Sequence, residues 1–207
     1  MRLALEDAGA HYLNKLPENN YSAFAPPYLK AGKRVIGQTA NILLWLAPRL
    51  GLAPKGEAAR LRLHQQQLTI TDWLVEAHDT HHPIAGSLYF EDQRAEARRR
   101  ASYFIANRLP KFFAYFEEIL KRNPKGSEYL LGKKVSYVDL SLFQMIEGLR
   151  YAFPKTTARL EPGYPRMVSL HDRVMARPRI AAYLSSPRRL AFNEQGIFRH
   201  YPELEEG

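Results

Sequence analysis

The sequence predicts a mainly α-helical protein in which a short α/β segment, residues 1–51, precedes an all-helical segment, residues 57–207. Two observations support this prediction. The N-terminal part contains short apolar runs separated by glycine and proline, whereas apolar residues after Gly56 recur at the spacing of three and four that is typical of amphipathic helices. The intervening stretch LAPKGE, residues 52–57, has the composition of a linker.

Composition limits the class of protein. The chain has 207 residues, 45% of them hydrophobic, which is enough for one or two globular domains. It has no cysteine, which excludes disulfides, thiolate metal ligands and a cysteine nucleophile within this sequence and fits a reducing compartment. No apolar run approaches the ~20 residues of a membrane span, and Glu6 and Asp7 interrupt any secretory signal pattern. We therefore expect a cytoplasmic protein without a membrane partner.

The net charge of +9 allows an anionic partner. The basic residues are scattered, however, and the tightest run, residues 98–100, follows several acidic residues. This mixture is typical of a solvated helix face. Nucleic acid binding is accordingly unlikely on the sequence alone.

The first elements along the chain are short. Residues 2–8 have a helical pattern that should stop at Gly9. The stretch HYLN, residues 11–14, has the length of a minimal strand, and LPENNYSA, residues 16–23, has the composition of a loop.

A hairpin and a helix should follow. The stretches PPYLK, residues 26–30, and RVIG, residues 34–37, flank a turn at Gly32. Residues 38–51 then predict a helix that Pro48 and Gly51 end.

Two long helices open the helical segment. The first should run over residues 57–85 and bury an apolar stripe that comprises Leu61, Leu68, Ile70, Trp73, Leu74 and Ala77. The second, over residues 91–123, carries phenylalanines at helical spacing and should kink at Pro110, whose ring removes a hydrogen bond. We expect these aromatic residues, together with Trp45 and Trp73, to form core rather than a cofactor site.

The clearest helix start is GKKVSYVDL. The Ser136 hydroxyl and the Asp139 carboxylate are spaced for a capping box, in which each bonds the backbone amide of the other. Val135 and Leu140 occupy the positions of a hydrophobic staple. The helix that follows is apolar on more than one face, so it should form the buried centre of the helical segment.

The remaining sequence predicts two shorter helices and a packed tail. Residues 164–178 and 179–189 are helical in pattern and bounded by proline. The tail beyond them contains Phe192, Phe198 and Tyr201, so it should pack back onto the body.

These pieces in this order resemble the glutathione transferase family, and the resemblance extends over residues 24–188. Three motifs carry it: the proline before Tyr28 and Leu29, the pair Gln38-Thr39 at a strand-to-helix turn, and GKKVSYVD. The resemblance implies an incomplete thioredoxin-like α/β domain followed by the all-helical domain of that family. It also implies glutathione as co-substrate, with no metal cofactor.

The resemblance assigns glutathione binding to Pro26, Pro27, Gln38 and Thr39. A cis peptide before Pro27 would turn the backbone of Pro26 toward a cleft, where an extended peptide ligand can hydrogen-bond. Gln38 and Thr39 would open a helix, whose free amides and dipole favour a carboxylate. A plain helix cap is the alternative interpretation of this pair, because threonine caps well.

Two features depart from the family pattern. Pro26 has no N–H, so one of the two backbone hydrogen bonds to the ligand must be missing or replaced. The chain also begins within the segment that resembles the family's first helix, so the first strand and the Tyr, Ser or Cys that activates the thiol are expected upstream of Met1. Tyr12, Tyr21 and Tyr28 are alternative activators in the same domain.

A histidine cluster follows in the helical segment. His78, His81 and His82 would share one helix face, as metal ligands would, but no fourth ligand is evident and we expect no metal. Lining the substrate pocket or packing at a dimer axis suits them better. Asp72 would approach the amino group of glutathione across a dimer.

The sequence thus predicts a detoxifying homodimeric transferase that conjugates or reduces small apolar electrophiles with glutathione. The alternative is a non-catalytic module of the same fold that binds apolar ligands or partner proteins. The missing catalytic strand motivates this alternative.

Overall fold

The computed structural model describes residues 1–13 and 24–205, and within these residues the fold is mainly helical with one two-stranded sheet, as the sequence predicts. The strands are β1, Tyr28–Ala31, and β2, Arg34–Gly37. The helices are α1, Arg2–Ala8; α2, Thr39–Leu46; α3, Glu57–His78; α4, Arg94–Tyr103; α5, Leu109–Lys121; α6, Tyr137–Ala152; α7, Pro154–Leu160; α8, Pro165–Met175; and α9, Pro178–Leu184.

The N-terminal elements largely follow the prediction. Helix α1 ends at Gly9, whose left-handed φ of 65° suits a residue without a Cβ. Strands β1 and β2 form an antiparallel hairpin that pairs Tyr28 with Gly37. The predicted strand over 11–14 is wrong for 11–13, which have no strand structure within the described residues. The predicted loop over 16–23, with Tyr21, lies outside the described residues.

Helix α3 is shorter than predicted, because it ends at His78 and not at Ala85. Pro83 lacks the N–H that a continuing helix needs. The Gln93 side chain forms hydrogen bonds with the backbone groups that follow Pro83. It accepts one from the Ile84 amide at 2.9 Å and donates one to the Ala85 carbonyl at 3.1 Å. The side-chain amide of Gln93 therefore stabilises a turn in residues that the sequence pattern predicts to be helical.

The predicted apolar stripe of α3 is only partly correct. Ile70, Trp73 and Ala77 are buried as expected, whereas the side chains of Leu61 and Leu68 remain 65% and 47% exposed. Apolar spacing alone does not tell a core-facing row from an exposed one, since both repeat at helical intervals.

The second long helix is interrupted in front of its proline. A five-residue π-helical segment, Phe104–Arg108, joins α4 to α5, and Pro110 lies in the first turn of α5. Inside a continuing helix a proline removes a hydrogen bond and its ring clashes with the preceding turn, and the wider π-helical turn lies where that clash would occur.

The aromatic residues of α5 form core, as predicted. The Trp73 ring is fully buried and stacks on Phe112 at 5.0 Å between ring centroids, with Phe113 edge-on at 5.6 Å. Trp45 is half-buried at the edge of a smaller cluster beneath the hairpin, and the Arg49 guanidinium covers its ring at 3.9 Å. Phe192, Phe198 and Tyr201 pack against the main core, which confirms the predicted return of the tail.

The predicted capping box opens α6. The Asp139 carboxylate accepts from the Ser136 amide at 2.7 Å and from the Ser136 hydroxyl at 2.6 Å. It also accepts from the Leu130 amide at 2.8 Å, so the same carboxylate fixes the preceding turn. Burial raises the pKa of Asp139 to about 6, although these hydrogen bonds act in the opposite direction. Helix α6 is buried along most of its length, as expected.

Ion pairs join α1 to the chain around α9. The buried Asp7 carboxylate accepts two hydrogen bonds from Arg177, one from Nε at 2.5 Å and one from Nη2 at 2.9 Å. The buried Glu6 carboxylate receives Arg188 at 2.9 Å. The linker is also packed, because the Leu52 carbonyl accepts from the Tyr137 amide at 3.1 Å. The division into domains at residues 52–57 stays a prediction.

We predict that Asp139→Asn lowers the free energy of unfolding by about 1–3 kcal/mol, because the amide leaves at least one buried N–H or hydroxyl without an acceptor. Equilibrium denaturation in urea would measure this loss. Asp72→Asn, an exposed change on α3, is the matched control and should stay close to the parent chain. An equal loss in both variants would contradict a special role for Asp139.

A comparison of the parent chain with Asp139→Asn also tests the raised pKa of Asp139. The folded pKa of Asp139, about 6, lies above the ordinary aspartate value of 3.8, so its contribution to stability grows as pH falls through 6 and is fully present below 3.8. The stability difference between the parent chain and Asp139→Asn should therefore widen between about pH 7.5 and about pH 5. A difference that narrows would show that the pKa is not raised.

Candidate functional site

The first two predicted site residues lie at the open end of the hairpin. The Pro26–Pro27 peptide bond is cis, as the family resemblance implies, and both prolines are exposed. Because Tyr28 pairs with Gly37, the residues just outside this pair, Pro27 and Gln38, lie at the same end of the sheet. The geometry therefore brings the proline turn and the start of α2 together.

The start of α2 is open. Gln38 precedes the helix with a left-handed φ of 64° and is exposed, and within the described part of the chain no side chain caps the helix. The alternative of a plain threonine cap is not realised, because Thr39 is already the first helical residue. The amides of the first turn remain available to an acceptor such as a carboxylate.

Thr39 also borders a cavity of about 340 Å³ between the N-terminal elements and the helices. Its walls come from the start of α1, from α2, α3 and α6, and from the tail. Apolar side chains make up most of the wall, among them Leu43, Ile70, Leu74 and Phe198. A cavity of this kind suits a small apolar ligand.

Two polar atoms in the cavity wall were not predicted from the sequence. Gln67 Oε1 and Tyr137 Oη are buried and lack a hydrogen-bond partner within residues 1–13 and 24–205. Burial raises the pKa of Tyr137 to about 12, so its hydroxyl stays protonated and can donate. Two residues that line the cavity thus carry one acceptor and one donor that can serve a ligand. Their helical spacing resembles that of ordinary core residues, so the sequence carries no signal for them.

Tyr12 does not suit thiol activation. Its hydroxyl donates to Glu6 Oε1 at 2.6 Å. Burial and this hydrogen bond raise the pKa of Tyr12 to about 12. A hydroxyl already committed to a carboxylate cannot also donate to a thiolate, so Tyr12 is a poor alternative activator.

The three histidines lie close together, but away from the cavity. His78 ends α3, whereas His81 and His82 follow in the turn, so they do not share a helix face as predicted. Their available ligand atoms nevertheless all lie within 4.8 Å of one another. Burial lowers the pKa of His81 to about 3 and lowers the pKa of His82, so both rings are neutral. Their predicted role in a substrate pocket stays a prediction.

Asp72 is exposed on α3. This location leaves it accessible to a second copy of the chain, and its cross-dimer role also stays a prediction. Among the described residues, none of the helices combines the length and apolar character that a membrane crossing requires.

Comparison with known proteins identifies relatives of this fold. The family model described as "Glutathione S-transferase, C-terminal domain" matches residues 78–187, more than half of the chain. Glutathione S-transferase P of Caenorhabditis elegans is 28% identical over 170 residues, which cover 81% of this chain and 72% of that protein. Glutathione S-transferase P 1 of Xenopus laevis is 24% identical over 163 residues, which cover 79% of this chain and 69% of that protein.

A solved structure shows the same architecture. The Pi-class glutathione S-transferase of Onchocerca volvulus superposes with a TM-score of 0.70, covering 88% of this chain and 84% of that chain. The sequence identity is 21%, so this likeness establishes the fold alone. It agrees with the predicted arrangement of a small N-terminal α/β unit and a helical body.

We predict that Tyr137→Phe stabilises the ligand-free chain by about 1 kcal/mol, because it removes a buried hydroxyl without a partner. The same change should weaken the binding of a polar ligand in the cavity, since the donor is lost. Urea denaturation and ligand titration would measure the two effects. A destabilised chain with unchanged ligand affinity would show that the hydroxyl serves the fold and not a ligand.

Proposed function

Because this chain belongs to the glutathione S-transferase family, we propose that it binds glutathione at the open end of the hairpin and transfers it to a small apolar electrophile. The observation that supports the proposal most directly is that the hairpin pairing brings the Pro26–Pro27 turn next to the start of α2. Both features lie within the segment whose order of parts resembles the family.

Each end of glutathione has a suitable partner in this proposal. The Pro26 carbonyl accepts a hydrogen bond from a backbone N–H of the ligand. Because Pro26 has no N–H, another group must donate the second hydrogen bond, to the backbone carbonyl of the ligand. The γ-glutamyl carboxylate takes the amides at the start of α2, next to Gln38 and Thr39, where the helix dipole favours negative charge. Asp72 of a second copy would complement the ligand's amino group.

The electrophile would occupy the cavity beside Thr39. Its walls are mainly apolar, so desolvation favours an apolar reactant there, and proximity to the bound thiol aids the transfer. Gln67 Oε1 and Tyr137 Oη would orient the polar part of that reactant. A cytoplasmic location belongs to the proposal, because glutathione is held in its reduced thiol form there.

A non-catalytic binding module is the second candidate. Tyr12, the alternative activator nearest α1, is committed to Glu6, and this observation favours binding without turnover. The fold by itself does not decide between the two, because function depends on the site. The presence or absence of turnover at saturating glutathione separates the candidates.

The proposed homodimer would use the exposed face of α3. Leu61, Leu68 and Val75 are 65%, 47% and 54% exposed and recur every seven residues, so they lie along one side of the helix. Asp72 is exposed on the same helix. An apolar row of this kind is buried favourably against a second copy.

We predict that Gln38→Ala and Thr39→Val each weaken glutathione binding about tenfold, because each removes a polar group beside the carboxylate. Retention on immobilised glutathione, calorimetric titration and turnover of a chlorodinitrobenzene-type substrate would measure the effect. Gln65→Ala and Thr69→Val, the same residue types on α3, are matched controls and should leave binding unchanged.

The outcomes separate the possibilities. Binding with turnover supports the transferase, and binding without turnover supports the non-catalytic module. A chain that binds no glutathione, or whose site and control variants lose binding equally, would contradict the assignment of Gln38 and Thr39.

We predict that Leu61→Glu with Leu68→Glu converts a dimer into a monomer, because the paired charges would face each other across an apolar interface. Sedimentation velocity would measure the mass. Leu190→Glu, on the exposed tail, is the control and should leave the assembly unchanged. A parent chain that is monomeric at micromolar concentration would refute the dimer.

A further inference from the structure

The histidine cluster at the end of α3 has the geometry of a metal-binding site. His81 and His82 are 1% and 8% exposed, and His78 lies half-exposed at their outer side. The three rings contact one another, with centroid separations of 4.7 to 5.5 Å. Three imidazoles at such distances are an unusual arrangement for packing alone, because each carries polar ring nitrogens that need partners.

A hydrogen bond fixes which nitrogen of His81 is free. His81 Nε2 lies 2.8 Å from the Ile197 carbonyl, and since a carbonyl only accepts, this nitrogen carries the ring proton. His81 Nδ1 therefore carries a lone pair, and it lies 2.5 Å from His82 Nδ1. A lone pair in this position can accept a proton from His82 Nδ1 or, together with an unprotonated His82 Nδ1, coordinate a cation.

We propose that His78, His81 and His82 bind one divalent transition-metal ion, with zinc as the best match. Imidazole ligands suit zinc, copper and nickel, whereas magnesium and calcium prefer oxygen. His78 contributes in the same way, because its Nδ1 lies 3.3 Å from Asp79 Oδ1 and its Nε2 is left as the ligand atom. A carboxylate behind a histidine ligand is the usual outer-shell arrangement of zinc sites.

The distances fit this ion after small ring rotations. Zinc binds histidine nitrogen at about 2.0–2.1 Å, so two ligands of a tetrahedron stand about 3.3 Å apart. The closest pair here, 2.5 Å, and the limit of 4.8 Å for the whole set lie on either side of that value. Three protein ligands leave one position for water or a small anion, on the side where His78 reaches solvent.

The surrounding charges permit a cation. Arg199 is the positive group that acts on His81 and His82, and its guanidinium is turned to the Gly196 carbonyl at 2.9 Å. Glu91 acts on His82 with the opposite sign, and Asp79 adds a second negative charge beside His78. The Asp79 carboxylate, whose Oδ1 lies 3.3 Å from His78 Nδ1, attracts a cation to the His78 side of the cluster.

Metal binding would stabilise the tail. The His81 to Ile197 hydrogen bond joins the cluster to residues next to Phe198, which lines the cavity. Fixing the His81 ring by a metal bond fixes the partner of this contact as well. The ion would therefore act as a clasp between α3 and the tail, not as a participant in thiol chemistry.

The test is a titration of the untagged, chelator-treated full-length chain with Zn²⁺ by calorimetry, and with Co²⁺ by visible absorption. We expect one ion per chain, a tetrahedral cobalt spectrum and a higher unfolding midpoint with zinc. His78→Ala, whose half-exposed position protects the fold, should weaken zinc binding at least tenfold, and Asp79→Asn about tenfold.

Matched controls keep the result specific. His11→Ala, an exposed histidine outside the cluster, should bind zinc as the parent chain does. The inference is overturned if the parent chain binds Zn²⁺ and Co²⁺ no more tightly than His78→Ala, or if His11→Ala loses binding equally. Should His81→Ala fail to fold, the His78 and Asp79 variants still decide the question.

Discussion

The Asp139 carboxylate is the constraint on which most of the structure depends. It accepts hydrogen bonds from two separate stretches, Ser136 and Leu130, and so sets both the direction of α6 and the turn before it. Helix α6 in turn packs against α1, α3, α7 and α8. Tyr137, the first residue of α6, binds the Leu52 carbonyl and lines the cavity. Burial of a carboxylate is unfavourable unless its oxygen atoms accept hydrogen bonds. The hydrogen bonds from the Leu130 and Ser136 amides therefore offset the cost of burying Asp139.

A second set of buried carboxylates holds α1 against the C-terminal part of the helical body. Asp7 and Glu6 lie on α1 and receive Arg177 and Arg188 from the far end of the chain. Loss of either arginine would leave a buried charge without its partner, which is costly. Helix α1 also forms part of the cavity wall beside Thr39. The position of this part of the cavity wall therefore rests on contacts between residues that are distant in sequence.

Structural features that depend on neighbouring residues could be predicted from the sequence, whereas features that depend on contacts between distant residues could not. The capping box and the hairpin each depend on residues a few positions apart, so their patterns predicted the structure correctly, whereas the proline turn was expected from the family resemblance. The end of α3 depends on the Gln93 amide, many residues away, and the sequence pattern extended the helix too far. The Tyr137 hydroxyl has no hydrogen-bond partner within residues 1–13 and 24–205, and no spacing rule in the sequence predicts such a feature. The roles of Gln38 and Thr39 remain predictions, since only their positions are established.

The tail links the two proposed sites physically. Phe198 packs so tightly on α6 that a Cβ at Gly148 would stand 2.3 Å from its ring, so glycine is required there. The neighbouring Ile197 carbonyl binds His81, and Phe198 itself lines the cavity. Any change that shifts the histidine rings must move this carbonyl or break its hydrogen bond, and Phe198 has no room to yield toward Gly148. A structural change at the histidine cluster should consequently alter the cavity wall, because Ile197 and Phe198 are adjacent in the chain.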